Sequence, residues 1–142
     1  MHSALAPGPW TFEGFALQQK DIVVEGMTGP FIIERPKVLY NEQTNNFVMW
    51  FHLDTPNYKY RHAGVATSNL ANGSFSFVHG LQPDGIPSLD MSLYKDTDGQ
   101  AYFIRSCDNS YVGISRLTAD YLNSTGIIST ADVSLYSCTL TS

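Results

Sequence analysis

The stretch MSLYKDTDGQAYFIR, residues 91–105, predicts a β-hairpin and is the clearest local signal in the sequence. Two apolar and aromatic runs, 91–95 and 100–105, flank the polar segment Asp96-Thr97-Asp98-Gly99. Runs of this composition favour strands. The Asp-Gly pair supplies the positive φ that a tight turn between antiparallel strands demands. We therefore expect two antiparallel strands joined at 96–99.

Outward from this hairpin, short strand patterns continue in both directions. A second hairpin is predicted where 36–40 and 46–52 flank the polar turn 41–45. Further strands are predicted at 10–15, 63–67, 75–78 and 112–117, whereas 118–122 is compatible with one helical turn. Because no segment has a long 3.6-residue period, the predicted fold class is all-β.

The two hairpins belong to an internal repeat. Leu39-Tyr40 recurs 54 positions later as Leu93-Tyr94, 48–50 matches 102–104 at the same spacing, and 64–66 matches 113–115 at 49. A period of about 50 residues with about four strands is typical of β-propeller blades, although two unrelated hairpins could share Leu-Tyr by chance. The sequence therefore predicts a segment of two to three blades, with 10–17 as the outer strand of a preceding blade.

Composition excludes several classes of function. The 142 residues carry a formal net charge of −5 and show no basic stripe, so nucleic acid is not an expected partner. No apolar run approaches the about 20 residues that span a bilayer, so no membrane association is expected. No signal peptide is visible at the N-terminus. The two cysteines, Cys107 and Cys138, could form one bridge, but two separate thiols are the default interpretation.

Several motifs in order carry a family resemblance that covers roughly residues 10–128. They are 33–41 (IERPKVLYN), 47–52 (FVMWFH), 88–102 (SLDMSLYKDTDGQAY), 108–110 (DNS) and 114–118 (ISRLT). Together they resemble glycoside hydrolase family 43, in the branch of the galactan 1,3-β-galactosidases. The resemblance implies a five-bladed β-propeller and an exo-acting enzyme that hydrolyses O-glycosyl bonds with inversion and without a cofactor. It also implies a β-1,3-galactan or arabinogalactan-type substrate and an extracellular parent enzyme.

The resemblance carries over to four residues. Glu34, in Glu-Arg-Pro-Lys, would accept hydrogen bonds from galactose hydroxyls in the innermost subsite. Asp90, in Ser-Leu-Asp-Met, would orient the general acid and tune its pKa. Tyr58 would be a further sugar contact, and Asn109 is a weaker candidate for substrate binding. Because Asp90 lies 54 positions after Pro36, two residues from Glu34, we expect both acids at the starts of equivalent strands and on one face.

The sequence also departs from the family pattern. The general acid of the family is a Glu in the blade after Asp90, but 131–142 contains no Glu. Leu89 stands before Asp90, where related sequences carry Arg, which puts a local ion pair in doubt. We therefore expect one partial glycoside hydrolase domain over 1–142, family-like at about 10–128 and divergent at 129–142. Because general acid catalysis contributes about 10²–10⁴-fold, we expect this chain alone to be inactive or nearly so.

Other interpretations remain open. A non-catalytic carbohydrate-binding module would also explain the aromatic content without a general acid, and a misassembled reading frame would explain the divergent tail. Alternatively, Glu34 and Asp90 are solvated residues near strand starts, and Tyr58 is an aromatic residue of a loop. Trp50 is expected in the core. Asp96-Thr97-Asp98-Gly99 begins like a calcium loop but has Cys107 at the position of the bidentate Glu, so we expect no metal site.

Overall fold

The computed structural model describes residue 9 and residues 11–132, which fold into two four-stranded antiparallel sheets. In each sheet the order in space is the order along the chain. The strands are β1 (Ile32–Asn41), β2 (Asn46–Asp54), β3 (His62–Ser68) and β4 (Ser76–Leu81), then β5 (Ser88–Lys95), β6 (Ala101–Cys107), β7 (Tyr111–Leu117) and β8 (Ser124–Asp132). Two 3₁₀ turns, Gln19–Asp21 and Pro83–Gly85, are the described helical elements. The all-β prediction is confirmed.

Both predicted hairpins are present. In the second sheet Lys95 pairs with Ala101, and Gly99 takes a φ of 86° inside the turn. The predicted strand at 10–15 is wrong over the described residues 11–15, because no strand pairs with them and Phe12 is 77% exposed. Residues 118–122 form a turn rather than a helical turn, closed by the Tyr121 N–H that donates to the Thr118 carbonyl at 2.9 Å.

Both sheets have the same strand order, but the predicted spacings of the repeat do not hold for the second and third strands of each sheet. Leu39 pairs with Val48, whereas Leu93 pairs with Phe103, so the second strands are offset by 55 rather than 54 positions. The cause is the turn: 96–100 has one residue more than 42–45. The third strands are offset by 48 rather than 49. Since a one-residue slip exchanges the two faces of a strand, the predicted matches for 48–50 and 64–66 are wrong.

One hydrophobic core joins the two sheets. Trp50 of β2 is fully buried, and its ring lies 4.7 Å from that of Phe103 on β6, centroid to centroid. Its indole N–H donates to the Tyr121 carbonyl at 2.8 Å. The interpretation of Trp50 as a core residue is therefore confirmed. Val48, Ala63, Val65, Met91, Ala101 and Leu117 complete the buried set with these aromatic residues.

A second core covers the other face of the first sheet. Met49, Phe51 and Leu53 alternate with the residues of the first core and pack against Ile22 and Phe31, which precede β1. β2 is therefore buried on both faces. The close packing explains the glycine of β3, because a Cβ at Gly64 would lie 2.3 Å from the Phe51 ring.

The second sheet contains a buried ionic network. Arg105 of β6 is 1% exposed and donates to the Asp84 carboxylate at 3.0 Å, the Pro83 carbonyl and the Ser115 hydroxyl. Asp84 also accepts hydrogen bonds from Ser115 at 2.5 Å and Ser124 at 2.7 Å. The network thus fixes the turn before β5 to three strands. Cys107 is buried at the end of β6, and Cys138 lies outside the described residues, so the question of a bridge stays open.

Candidate functional site

Four of the sequence-predicted residues lie at one end of the two sheets, where β1 and β5 begin and β2 and β6 end. Glu34 and Asp90 are near the starts of β1 and β5. Tyr58 is in the loop between β2 and β3, and Asn109 is in the turn between β6 and β7. We call this end of the two sheets the site edge. The topology thus assembles residues that are far apart in the sequence.

Glu34 is held through both of its carboxylate oxygens. The Tyr58 hydroxyl donates to Oε1 at 2.9 Å, and Nδ1 of His52 lies 3.3 Å from Oε2. The Glu34 side chain is nevertheless 39% exposed. Hydrogen bonding to Glu34, followed by desolvation and the nearby negative charges, raises the pKa of the Tyr58 phenol and keeps it a donor. Glu34 is therefore an oriented acceptor that a hydroxylated ligand can reach.

Behind Glu34, His52 continues the hydrogen-bonded chain into the sheet. Its Nε2 lies 2.9 Å from Oδ2 of Asp54, which is fully buried. Burial alone would raise the pKa of Asp54, but backbone N–H groups of Arg61, Thr55 and Tyr60 and the His52 ring together hold it below its ordinary value. Asp54 is thus a buried anion. The side chains of Tyr58, Glu34, His52 and Asp54 form, in that order, one continuous series of polar contacts.

An ion pair joins Asp90 of the second sheet to Arg35 of the first sheet. Nε of Arg35 on β1 lies 3.1 Å from Oδ1 of Asp90 on β5, and both side chains are 62% exposed. Asp90 therefore has an ion-pair partner in Arg35, whereas Leu89 cannot supply an ion pair in this chain. The two-residue step used to predict that Glu34 and Asp90 share one face does not apply, because a register shift between Glu34 and Lys37 interrupts the alternation.

A second ion pair joins the remaining loops. The Arg61 guanidinium donates to the Asp108 carboxylate, which links the β2–β3 loop to the β6–β7 turn. Arg61 also donates from Nε to the Tyr58 carbonyl at 3.1 Å, so it braces the loop that carries Tyr58. Asn109 follows Asp108, and its amide oxygen accepts a hydrogen bond from the Ser106 hydroxyl at 3.3 Å.

The backbone at the site edge is locally strained. Eight non-glycine residues within 11–132 have a left-handed φ, and five of them lie at this edge: Arg35, Tyr58, Arg61, Asp108 and Asn109. Such conformations cost of order 1–3 kcal/mol each and persist where the surroundings over-determine them. The ion pairs of Arg35 and Arg61 and the hydrogen bonds of Tyr58 and Asn109 are the contacts that accompany these conformations.

The described part of the chain offers no ready metal site. Within residue 9 and 11–132, no group of three or more His, Cys, Asp or Glu side chains is arranged to hold an ion. No described helix has the length and apolar character needed to cross a bilayer.

Sequence reasoning missed three members of this site. His52 and Asp54 are two positions apart on one strand, a spacing that places both side chains on one face and could have signalled a polar pair. No feature of the sequence predicted that Arg35 would pair with Asp90. Its left-handed φ of 54° arises within the bulge, which no local pattern predicted.

Solved structures show what the chain is similar to. An exo-β-1,3-galactanase of Phanerochaete chrysosporium, crystallised with β-1,3-galactotriose, is 35% identical over 72% of this chain and 25% of its own, with a TM-score of 0.70. An exo-β-1,3-galactanase of Clostridium thermocellum is 35% identical over 70% and 24%, with a TM-score of 0.68. A family 43 β-1,3-galactosidase is 36% identical over 70% and 21%, with a TM-score of 0.66. No family model and no curated protein matches the chain.

The all-β fold and the similarity to these enzymes are those of a glycoside hydrolase-like protein. The identities and TM-scores carry the assignment further, since they hold over most of this chain. The chain belongs to glycoside hydrolase family 43, as a galactan 1,3-β-galactosidase-like sequence. It spans about a quarter of the length of the two galactanases that it matches.

Proposed function

We propose that this chain provides the galactose-binding part of an exo-acting glycosidase that cleaves β-1,3-linked galactan with inversion. The observation that carries the proposal is Glu34, a half-buried carboxylate oriented by Tyr58 and His52 and still open to solvent. Sugar hydroxyls are donors, and a charged acceptor forms hydrogen bonds about twice as strong as a neutral one. Tyr58 and Asn109 are the further substrate contacts in this proposal.

Asp90 has the second role. An inverting glycosidase places two carboxyl groups about 6.5–9.5 Å apart, and a third acid near the proton donor raises the pKa of that donor by like-charge repulsion. Asp90 is that third acid in our proposal, and Arg35 fixes its direction. The general acid of the family has no counterpart that we can match in 131–142, so we propose that these 142 residues bind sugar but hydrolyse it slowly or not at all.

We further propose that the two sheets are two blades of a five-bladed propeller. The outward face of the second sheet supports this arrangement, because Tyr102, Ile104, Val112 and Ile114 on β6 and β7 are only half-buried there. Apolar side chains of this kind gain about 25 cal/mol per Å² when a neighbouring sheet covers them.

The experiment that tests the function combines binding with hydrolysis. Galactose and β-1,3-galactobiose are titrated into ¹⁵N-labelled protein, beside Glu34→Gln and Tyr58→Phe. Glu42→Gln is the matched control, since Glu42 pairs with Lys95 at the opposite end of β1. We expect weak binding that both site variants reduce and the control does not. Binding that survives Glu34→Gln would contradict the proposal.

Hydrolysis separates the catalytic part from the binding part. Galactose released from a β-1,3-galactan is measured for the wild-type chain and for Asp90→Asn. We expect no release by either protein. Release by the wild type that Asp90→Asn abolishes would mean that another group supplies the proton, and the proposal of slow hydrolysis would be wrong. Sugar binding without hydrolysis is also the behaviour of a non-catalytic carbohydrate-binding module.

A further inference from the structure

His52 lies between two carboxylates, with one ring nitrogen facing each of them. Nδ1 is 3.3 Å from Oε2 of Glu34, and Nε2 is 2.9 Å from Oδ2 of Asp54. The His52 side chain is 3% exposed. A neutral imidazole has one N–H and one lone pair, so either neutral tautomer directs a lone pair at an acceptor. Such a pairing is repulsive in a site with little water to relieve it.

Neither carboxylate is arranged to act as a donor toward the ring. Oδ1 of Asp54 accepts backbone N–H bonds from Thr55 and Tyr60, each at 2.8 Å, and these hold Asp54 in its charged form. Oε1 of Glu34 accepts the hydroxyl of Tyr58. Both groups therefore present acceptor oxygens to His52, and only a doubly protonated ring satisfies both.

We propose that His52 is an imidazolium that donates to Glu34 and Asp54 at once, and that its charge positions Glu34 for sugar binding. The inference rests on the proposed function, in which Glu34 receives galactose hydroxyls. His52 is then a positioning residue, because it acts through Glu34 and touches no ligand. Replacing this charge-assisted hydrogen bond by a lone-pair repulsion would leave Glu34 held by the Tyr58 hydroxyl alone.

The groups around His52 define the expected pH dependence. Glu34 faces it from β1, Asp54 from its own strand and Tyr58 from the loop, while His62 begins β3 within the field of Asp54. Burial lowers the pKa of His62, so His62 contributes little positive charge near neutral pH. Galactose affinity should be higher at pH 5.5 than at pH 8.5, because the proposed contacts to Glu34 and Asp54 need a proton on both ring nitrogens of His52.

The protonation state is measured directly. Long-range ¹H–¹⁵N correlation spectra of histidine-labelled protein at pH 7 distinguish an imidazolium, whose two ring nitrogens have similar shifts, from a neutral ring, whose nitrogens differ widely. We expect the imidazolium pattern for His52 and its loss at pH 7 in Asp54→Asn. A neutral pattern for wild-type His52 at pH 7 overturns the proposal, and so does an unchanged imidazolium in Asp54→Asn.

The consequence for binding is measured from pH 5.5 to 8.5 with galactose as the probe. We expect His52→Gln to weaken binding about tenfold at pH 5.5, equivalent to about 1.4 kcal/mol, and to flatten the pH profile. His79→Gln is the matched control, because His79 bonds the Leu122 carbonyl away from the site edge. An unflattened profile overturns the inference. A wild-type chain with imidazolium His52 but no galactose binding overturns the proposed function and the positioning role, and leaves only the protonation state.

Discussion

Replacing Asp84 by alanine tests how far the second sheet depends on its buried ionic network. The substitution removes the acceptor of three hydrogen bonds, from Arg105, Ser115 and Ser124, at 3.0, 2.5 and 2.7 Å. It also leaves the Arg105 guanidinium buried without its counter-charge. Removing one partner of a buried ion pair costs about 3–5 kcal/mol. We expect Asp84→Ala to lower the free energy of unfolding by that amount.

The assay is urea unfolding followed by circular dichroism. For a domain of this size about 1 kcal/mol corresponds to roughly 2–4 °C in melting temperature, so the loss is also visible in a thermal scan. Glu25→Ala, at an exposed acidic residue, is the control and should change little. In the double variant with Arg105→Met the cost should fall well below the sum of the single costs, because the orphaned charge is gone. A loss under about 1 kcal/mol for Asp84→Ala would refute the reasoning.

Three further predictions follow from the packing and the charges. Gly64→Ala should lower the free energy of unfolding by about 1–3 kcal/mol, because its Cβ would lie 2.3 Å from the Phe51 ring. An unchanged urea midpoint would contradict this description of the packing. Tyr58→Phe should weaken galactose binding about three- to tenfold in a titration while leaving the melting temperature within about 2 °C, because it removes one exposed hydrogen bond. The free energy of unfolding should be at its plateau above about pH 4, the ordinary pKa region of Asp, and should fall as the pH drops below it, because the pKa values of Asp54 and Asp84 are lowered in the fold. A urea midpoint that is equal at pH 3 and pH 7 would oppose this.

Local chemistry predicted most of the strands and the turn at 96–99. Apolar runs and turn residues are properties of neighbouring positions, and the ladder partners of these runs lie nearby along the chain. The strand expected at 10–15 had the same alternation but no partner within the described residues. A strand needs a neighbouring strand for its backbone hydrogen bonds, and the pattern of one segment does not show whether such a neighbour is present.

The details of the site were less predictable for a related reason. Glu34 and Asp90 were found from the family motifs, and the structure brings both to one edge. The ion pair between Arg35 and Asp90 involves a bulge in β1, where the register shifts and Arg35 has a left-handed φ. The one-residue difference between the turns 42–45 and 96–100 likewise changes which faces correspond. Such effects arise from turn geometry rather than from composition.

The double burial of β2 has a consequence for how the molecule opens. Strand β2 is paired on both edges, with β1 and β3, and covered on both faces by the two cores. Its amide hydrogens can meet solvent only when the whole first sheet comes apart. Deuterium uptake at 48–53 should therefore be the slowest in the described chain, and its rate should report the global unfolding free energy. The site edge, which is built partly on this strand, is thus anchored to the part of the described chain that we expect to exchange most slowly.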